Sequence, residues 1–211
     1  QWMPPLLDLG NPAMQRRHWK VIFEHLGVPA PTEFSLQDLI DWKVFENRTV
    51  ITETSAIASG EWSLAQSLRK VEKSMAAASF TLAEYCGVPI LTGVDDLYEA
   101  LEENKMTLQI MRSSRFIDGV KQDVETWERK LHLIDQVLDE WLYCQRNWRY
   151  LQNIFTVPDI QKQLPSEAAD FRHVDTKWKD IMAKTANNPN VVECTTAPGV
   201  LEMFLDNRTL L

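Results

Sequence analysis

The sequence predicts an all-α protein, an elongated bundle of long heptad-patterned helices with one small β-hairpin. Three observations carry this. Apolar residues recur at alternating spacings of three and four along three stretches, as in helices packed through a seam. Glycine is scarce, 7 of 211 residues, which disfavours an all-β or loop-rich fold. One short stretch, 81–90, changes to strand-like patterning around a Cys86-Gly87 turn.

Composition narrows the partners. The chain is 45% hydrophobic and 25% charged, ordinary for a globular protein with one or two cores. A formal net charge of -8 argues against a nucleic-acid or anionic-membrane partner, because there is no basic excess to replace counterions. Three separated cysteines, Cys86, Cys144 and Cys194, without a CxxC, fit a reducing compartment and hence the cytoplasm. No apolar run reaches the ~18 residues of a membrane span, and "QWMPPLLDLGNP" has no signal-peptide pattern. The first residue is not methionine, and "PGVLEMFLDNRTLL" stops inside a helical pattern, so a piece of a longer chain is expected.

In chain order, Asn11 is expected to cap a helix, with Pro12 at its first position and Gly27 after its end. Ser35 and Asp38 form a capping box for a short helix. Val50, Thr54, Ile57, Glu61, Leu64, Leu68, Val71, Met75 and Ala78 make a heptad seam with one polar interruption, Glu61, in a bundle helix or a free coiled coil. Thr81, Glu84, Tyr85 and Ile90 belong to the hairpin. Asp95 or Asp96 caps the next helix, with Val94, Leu97, Leu101, Asn104, Leu108 and Met111 on its stripe. Ile117, Val120, Val124, Trp127, Leu131, Ile134, Leu138, Trp141, Gln145 and Trp148 then keep the spacing without a gap. A helix over 118–155 is roughly 57 Å long, about three times the usual helix. Such helices occur in coiled coils, spectrin-like bundles and rods. "TVPDIQKQLP" reads as a break with about one helical turn, "SEAADFRHVDTKWKDIMAK" as an amphipathic helix carrying Phe171, Val174, Trp178 and Ile181, and "TANNPNVVECTTAP" as a loop. Pro198 opens the last helix. Two sub-bundles are expected: 1–93, ending in the hairpin, and 94–211, truncated at its C-terminal end.

Catalytic chemistry finds no foothold. There is no GxxxxGK[ST], GxGxxG or HExxH. His18 and His25 share a helix face but lie two turns apart, and His132 and His173 are isolated. Asp170, His173 and Asp175 read as a charged helix face, since no nucleophile sits in a strained turn; Glu102-Glu103 and Asp139-Glu140 read as solvated. The sequons at Asn47 and Asn207 fall on expected helices and read as chance. No catalytic, cofactor or metal residue is expected in this segment; an all-α enzyme is the least supported reading.

The segment "WLYCQRNWRYLQNIF", 141–155, is unusually aromatic. Stepping about 100° per residue from Trp141 places Trp148, Phe155, Cys144 and Leu151 on one broad face. Tyr143, Tyr150 and Ile154 fall opposite. A helix apolar on two opposed sides is usually packed between two layers. Trp127, Trp141, Trp148, Phe155 and Trp178 are therefore the expected structural core. Tyr143 and Tyr150 either pack or dock another domain.

The same region resembles the linker region of dynein heavy chains. Trp141, Gln145, Trp148, Tyr150, Leu151, Ile154 and Phe155 match W-x-x-x-Q-x-x-W-x-Y-L-x-x-I-F. Asp159, Ile160, Gln163, Leu164, Pro165 and Glu167 match D-I-x-x-Q-L-P-x-E, and Phe171, Val174, Asp175, Trp178, Ile181 and Met182 match F-x-x-V-D-x-x-W-x-x-I-M. "RRHW", "ITETSAIASGEWSL", "LTGVDDL" and "ETWERKL" also resemble the family, closer to axonemal than to cytoplasmic members. The chain departs from it at "MAAA", 75–78, at Arg115 before Phe116, and in a short hairpin loop.

The resemblance implies the N-terminal half of a spectrin-like linker that arches over an AAA+ ring and drives the power stroke. It further implies ATP and Mg in that ring, outside this segment. Implied partners are the ring of the same heavy chain, which Tyr143 and Tyr150 could dock, the microtubule through the full motor, and dynein intermediate and light chains through the tail. The cytoskeleton, as a cilium or flagellum axoneme, is the implied location. A non-motor spectrin-like scaffold or tether is the alternative.

Overall fold

The seven-residue repeats fold as helices. The structure, a computed structural model, describes residues 3–31 and 33–211, with Met3 by its backbone alone. In chain order the elements are α1 (Met3–Leu9), α2 (Arg16–Leu26), α3 (Leu36–Asp41), α4 (Arg48–Ala77), β1 (Thr81–Tyr85), β2 (Val88–Thr92), α5 (Asp95–Arg112), α6 (Lys121–Phe155), α7 (Pro158–Gln163), α8 (Pro165–Asn187), α9 (Val191–Thr196) and α10 (Val200–Leu210). Short 3₁₀ turns cover Val44–Glu46 and Ile117–Gly119. The fold is thus an all-α bundle with one two-stranded hairpin.

Two compact units form, 1–69 with 111–121, and 70–110 with 122–211. This grouping differs from a division of the chain at residue 93. The segment 111–121 returns to the first unit, where the Phe116 ring lies on Gly60; a Cβ at Gly60 would come within 2.3 Å of that ring.

In the first unit Leu9, Ile22, Phe23, Leu39, Val44, Phe45 and Ile51 make the core. Helix α1 has no assignment in the sequence reading; Pro4 and Pro5, which need no N–H at a helix start, accommodate its first turn. Asn11 does not cap α2, which begins four residues later after Gln15. The Asn11 Oδ1 accepts the Ala13 N–H at 3.0 Å, and its Nδ2 donates to Ser55 and Ser59 of α4. Its amide is used on a neighbouring helix, and Pro12 sits in the turn between. Gly27 ends α2 as expected, at φ 68. The Ser35–Asp38 capping box is present in both directions, and Ser35 holds the Asp38 carboxyl below its usual range. The α4 seam is corrected at Ile57, which is exposed while Ala58 is buried. Ile51, Ser55 and Ala58 follow the straight 3.6-residue period more closely than a strict heptad does.

In the second unit the hairpin turns through Cys86 and Gly87, both at positive φ (52 and 76), a primed two-residue turn that matches the strand twist. Leu101, Asn104 and Leu108 of α5 are buried as their stripe requires. Asp95 and Asp96 lie in the first turn of α5, not before it, where negative charge suits the helix dipole. Helix α6 runs 35 residues, about 52 Å. Val124, Leu131, Ile134, Leu138, Trp141, Gln145 and Trp148 are all buried along it. Helix α8 opens on Pro165, packs against β2 and α10, and continues to Asn187, past the expected loop start. That loop also contains α9, capped by the Asn190 side chain accepting the Glu193 N–H at 3.0 Å. Asn190 Nδ2 donates to the Ala76 carbonyl, and Val191 N–H donates to Ala78, so the turn is tied to the end of α4. Pro198 precedes α10, which starts at Val200 after Gly199 at φ 82.

Candidate functional site: a tryptophan core and a tyrosine–arginine face

Helix α6 turns two different faces to its surroundings in the second unit. On one, Trp141, Trp148 and Trp178 are fully enclosed. Trp148 stacks on Trp178 with centroids 5.4 Å apart, and Trp141 lies 4.8 Å from Phe204 and 5.3 Å from Phe80. Trp148 Nε1 donates to Asp175 Oδ1 at 3.0 Å, which accounts for the aspartate of the D-F-R-H-V-D stretch; Lys179 pairs with its other oxygen. Trp127 and Phe155 are only half-buried: Trp127 donates to Glu72 under Lys130, and Phe155 stacks on Phe171 at 5.3 Å.

Gln145 sits on the seam and has a role that periodicity does not reveal. Its Oε1 accepts the Leu91 N–H at 2.7 Å and its Nε2 donates to the Leu91 carbonyl at 2.9 Å. In the hairpin register Tyr85 pairs with Val88 and Leu82 with Leu91, so the Leu91 backbone groups point away from β1. One side-chain amide therefore stands in for a missing strand. At Pro89, the other outward position, there is no N–H to satisfy. A polar residue in an apolar seam was the available signal.

On the opposite face Tyr150 is 68% exposed. Tyr143 is half-buried, with the Arg208 guanidinium 4.7 Å and Arg146 5.8 Å from its ring centroid. Arg149 lies 4.6 Å over Tyr85, whose hydroxyl accepts from Asn153. The second side thus presents exposed Tyr150 beside Tyr143, which Arg208 and Arg146 partly cover, while Tyr85 belongs to the tryptophan side, edge-on to Trp148 at 6.2 Å. Cys144 is buried on the tryptophan face, and burial, with the Glu140 charge beside it, pushes its thiol up to about 12. Alkylation near pH 8 is expected to modify exposed Cys86 and to spare Cys144 until the unit unfolds, as peptide mapping would read. Asn207 is 2% exposed, which leaves that sequon inaccessible to a glycan.

The first unit has its own polar seam residue. Glu61 is buried, and its Oε2 accepts from both Arg17 and His18 Nε2, the latter at 2.8 Å. His18 Nδ1 accepts the Gln15 N–H at 2.9 Å, so the proton sits on Nε2 and the imidazole holds one tautomer. Gly119 closes over the pair; a Cβ there would come within 2.6 Å of the Glu61 carboxyl. Glu61→Ala leaves the buried His18 donor unpaired, and a loss of about 1–3 kcal/mol is expected in urea denaturation; an unchanged midpoint would make the clasp energetically idle. His18 is thus a structural partner, and His25 at the exposed helix end is not near it.

The fold defines the class as an all-α helical bundle with a small β-hairpin, and no helix among the described residues is long and apolar enough to cross a membrane. Comparison with known proteins makes the class specific. Residues 1–211 match the family "Dynein heavy chain, N-terminal region 2", and the chain belongs to that family. It is 40% identical over 215 residues to dynein axonemal heavy chain 6 of Homo sapiens, a match covering 99% of this chain and 5% of that protein. Against dynein axonemal heavy chain 2 of Mus musculus the identity is 35% over 214 residues, again 99% of this chain and 5% of the other. Against the dynein-1-beta heavy chain of the flagellar inner arm I1 complex of Chlamydomonas reinhardtii it is 33% over 208 residues, 97% of this chain and 5% of the other. The chain thus spans about one-twentieth of the length of these relatives.

Proposed function

We propose that this segment is the N-terminal half of the linker of a dynein motor, the lever that couples ATP-driven change in an AAA+ ring to force on the tail. The observation that carries the proposal is α6: its seam is buried from Leu131 to Trp148 while Tyr150 on the other side stands 68% exposed. A lever needs contiguous packing so that it transmits force without yielding. It also needs a face of modest adhesion, because an equilibrium between two positions shifts only through differential contacts. Buried tryptophans supply the first and the tyrosine–arginine face supplies the second. ATP and Mg act in the ring, outside this segment. The partners are that ring, the microtubule, and intermediate and light chains on the tail. Axonemal names among the relatives support a place in a cilium or flagellum.

The test is gliding. Tyr150→Ala in the full heavy chain is expected to slow microtubule gliding while shifting the melting of the segment by little, as exposed substitutions do. Tyr143→Ala is expected to slow gliding too, with a larger stability loss because Arg208 packs on its ring. Unchanged velocity in both variants counts against docking through this face.

A further inference from the structure

The first unit holds a groove that neither the tryptophan core nor the tyrosine face uses. It is open and encloses about 680 Å³, within the range of peptide and ligand sites. Its floor is aromatic. Trp19 and Phe34 rings lie 4.8 Å apart, Phe23 and Phe34 meet edge-on at 5.2 Å, and Trp19 lies 6.0 Å from Phe23. Phe23 is 1% exposed, but Trp19 and Phe34 are half-buried and show ring surface to the groove. Ala30 and Pro31 also line it, as do Arg16, Arg17 and Lys20 of α2.

Among the described residues, the lining has three cations and no carboxylate. That runs against a chain with 30 acidic and 22 basic residues. Arg17 is drawn to Glu61, and Lys20 meets Glu24 at 3.5 Å in an exposed and therefore weak pair. Arg16 and Lys20 sit one turn apart on α2, and both line the groove.

A floor of edge-on and tilted rings accepts one large apolar side chain, and a basic rim over it accepts carboxylates. The two requirements are met together by an acidic peptide with a buried anchor. A nucleotide would need a phosphate cradle of backbone N–H groups, and of the described lining residues outside α2, Ala30, Pro31 and Phe34, the proline has no N–H to give. We propose that this groove docks an acidic peptide segment of a partner chain, inserting one aromatic or leucine side chain between Trp19 and Phe34, with its flanking carboxylates on Arg16 and Lys20.

The experiment is fluorescence anisotropy on the chain with a labelled peptide of glutamates around one central phenylalanine. Controls exchange the phenylalanine for serine, or every glutamate for lysine. The expected result is at least about tenfold tighter binding of the first peptide than of either control, weakening as salt rises. Arg16→Glu with Lys20→Glu, both exposed positions, is expected to abolish the preference with the circular dichroism unchanged. Phe34→Ser is expected to weaken binding without altering its salt dependence. Equal affinity for the lysine peptide, binding retained in the charge-reversed variant, or no binding of any probe overturns the proposal. So does displacement of the probe by ATP, which would make the groove a nucleotide site, or by excess unlabelled chain, which would make its occupant a second copy.

Discussion

Trp148→Ala is expected to destabilise the second unit by about 3–5 kcal/mol, the largest single effect in the chain. The indole is fully enclosed, stacked on Trp178 and edge-on to Tyr85 at 6.2 Å. Its removal opens a cavity between α6, α8 and the hairpin that backbones held by long helices cannot collapse to fill. It also takes the N–H from Asp175, although Lys179 still pairs with that carboxylate. Trp148→Phe, which keeps most of the volume, is expected to lose less than half as much. The urea midpoint of the chain reads both. A shift near zero in Trp148→Ala would mean that the side chain is exposed and that α6 is no internal strut.

Gln145→Leu ranks second, at about 2–4 kcal/mol, because it strands two buried backbone groups at once. Leucine fills much of the same volume, so packing changes little and the loss isolates the hydrogen bonds. Leu91 is 3% exposed, so water does not readily replace the amide. The specific readout is hydrogen exchange at the Leu91 amide, which is expected to speed up sharply while Thr81 and Ala83, paired within the hairpin, follow only the global stability. Exchange at Leu91 unchanged from the parent chain would show that the edge is protected by something other than Gln145.

These two residues also show where sequence reasoning reached and where it stopped. Periodicity placed Trp148 in the core and drew α6 to within a few residues, because a seam of this length leaves one helical phase that buries every apolar residue. It placed the hairpin too, since two strand-like runs around Cys86-Gly87 admit a two-residue turn. The same pattern registered Glu61 and Gln145 only as interruptions. Their partners, His18 and Leu91, lie 43 and 54 residues away, and spacing carries no information about such contacts. Local signals failed where a tertiary bond outcompeted them: Asn11 has the grammar of a cap, but Ser55 and Ser59 take its amide. Helix α9 was hidden in a polar stretch because it is a six-residue helix that buries only Val191 and Thr195, too short for a periodic stripe, with Asn190 tying it to Ala76. The tyrosine face was half legible. Angle alone put Tyr143 and Tyr150 together, and the packing of Arg208 and Arg146 on the Tyr143 ring separates one from the other.

The proposed lever is tested most directly by energy transfer in the full heavy chain. One dye is placed at the exposed Cys86–Gly87 hairpin turn and the other on the AAA+ ring, and transfer is compared without nucleotide and with ATP and vanadate. A lever predicts two distinct transfer efficiencies that interconvert with the nucleotide state. One efficiency that does not change with nucleotide, in a motor that still hydrolyses ATP, would contradict it.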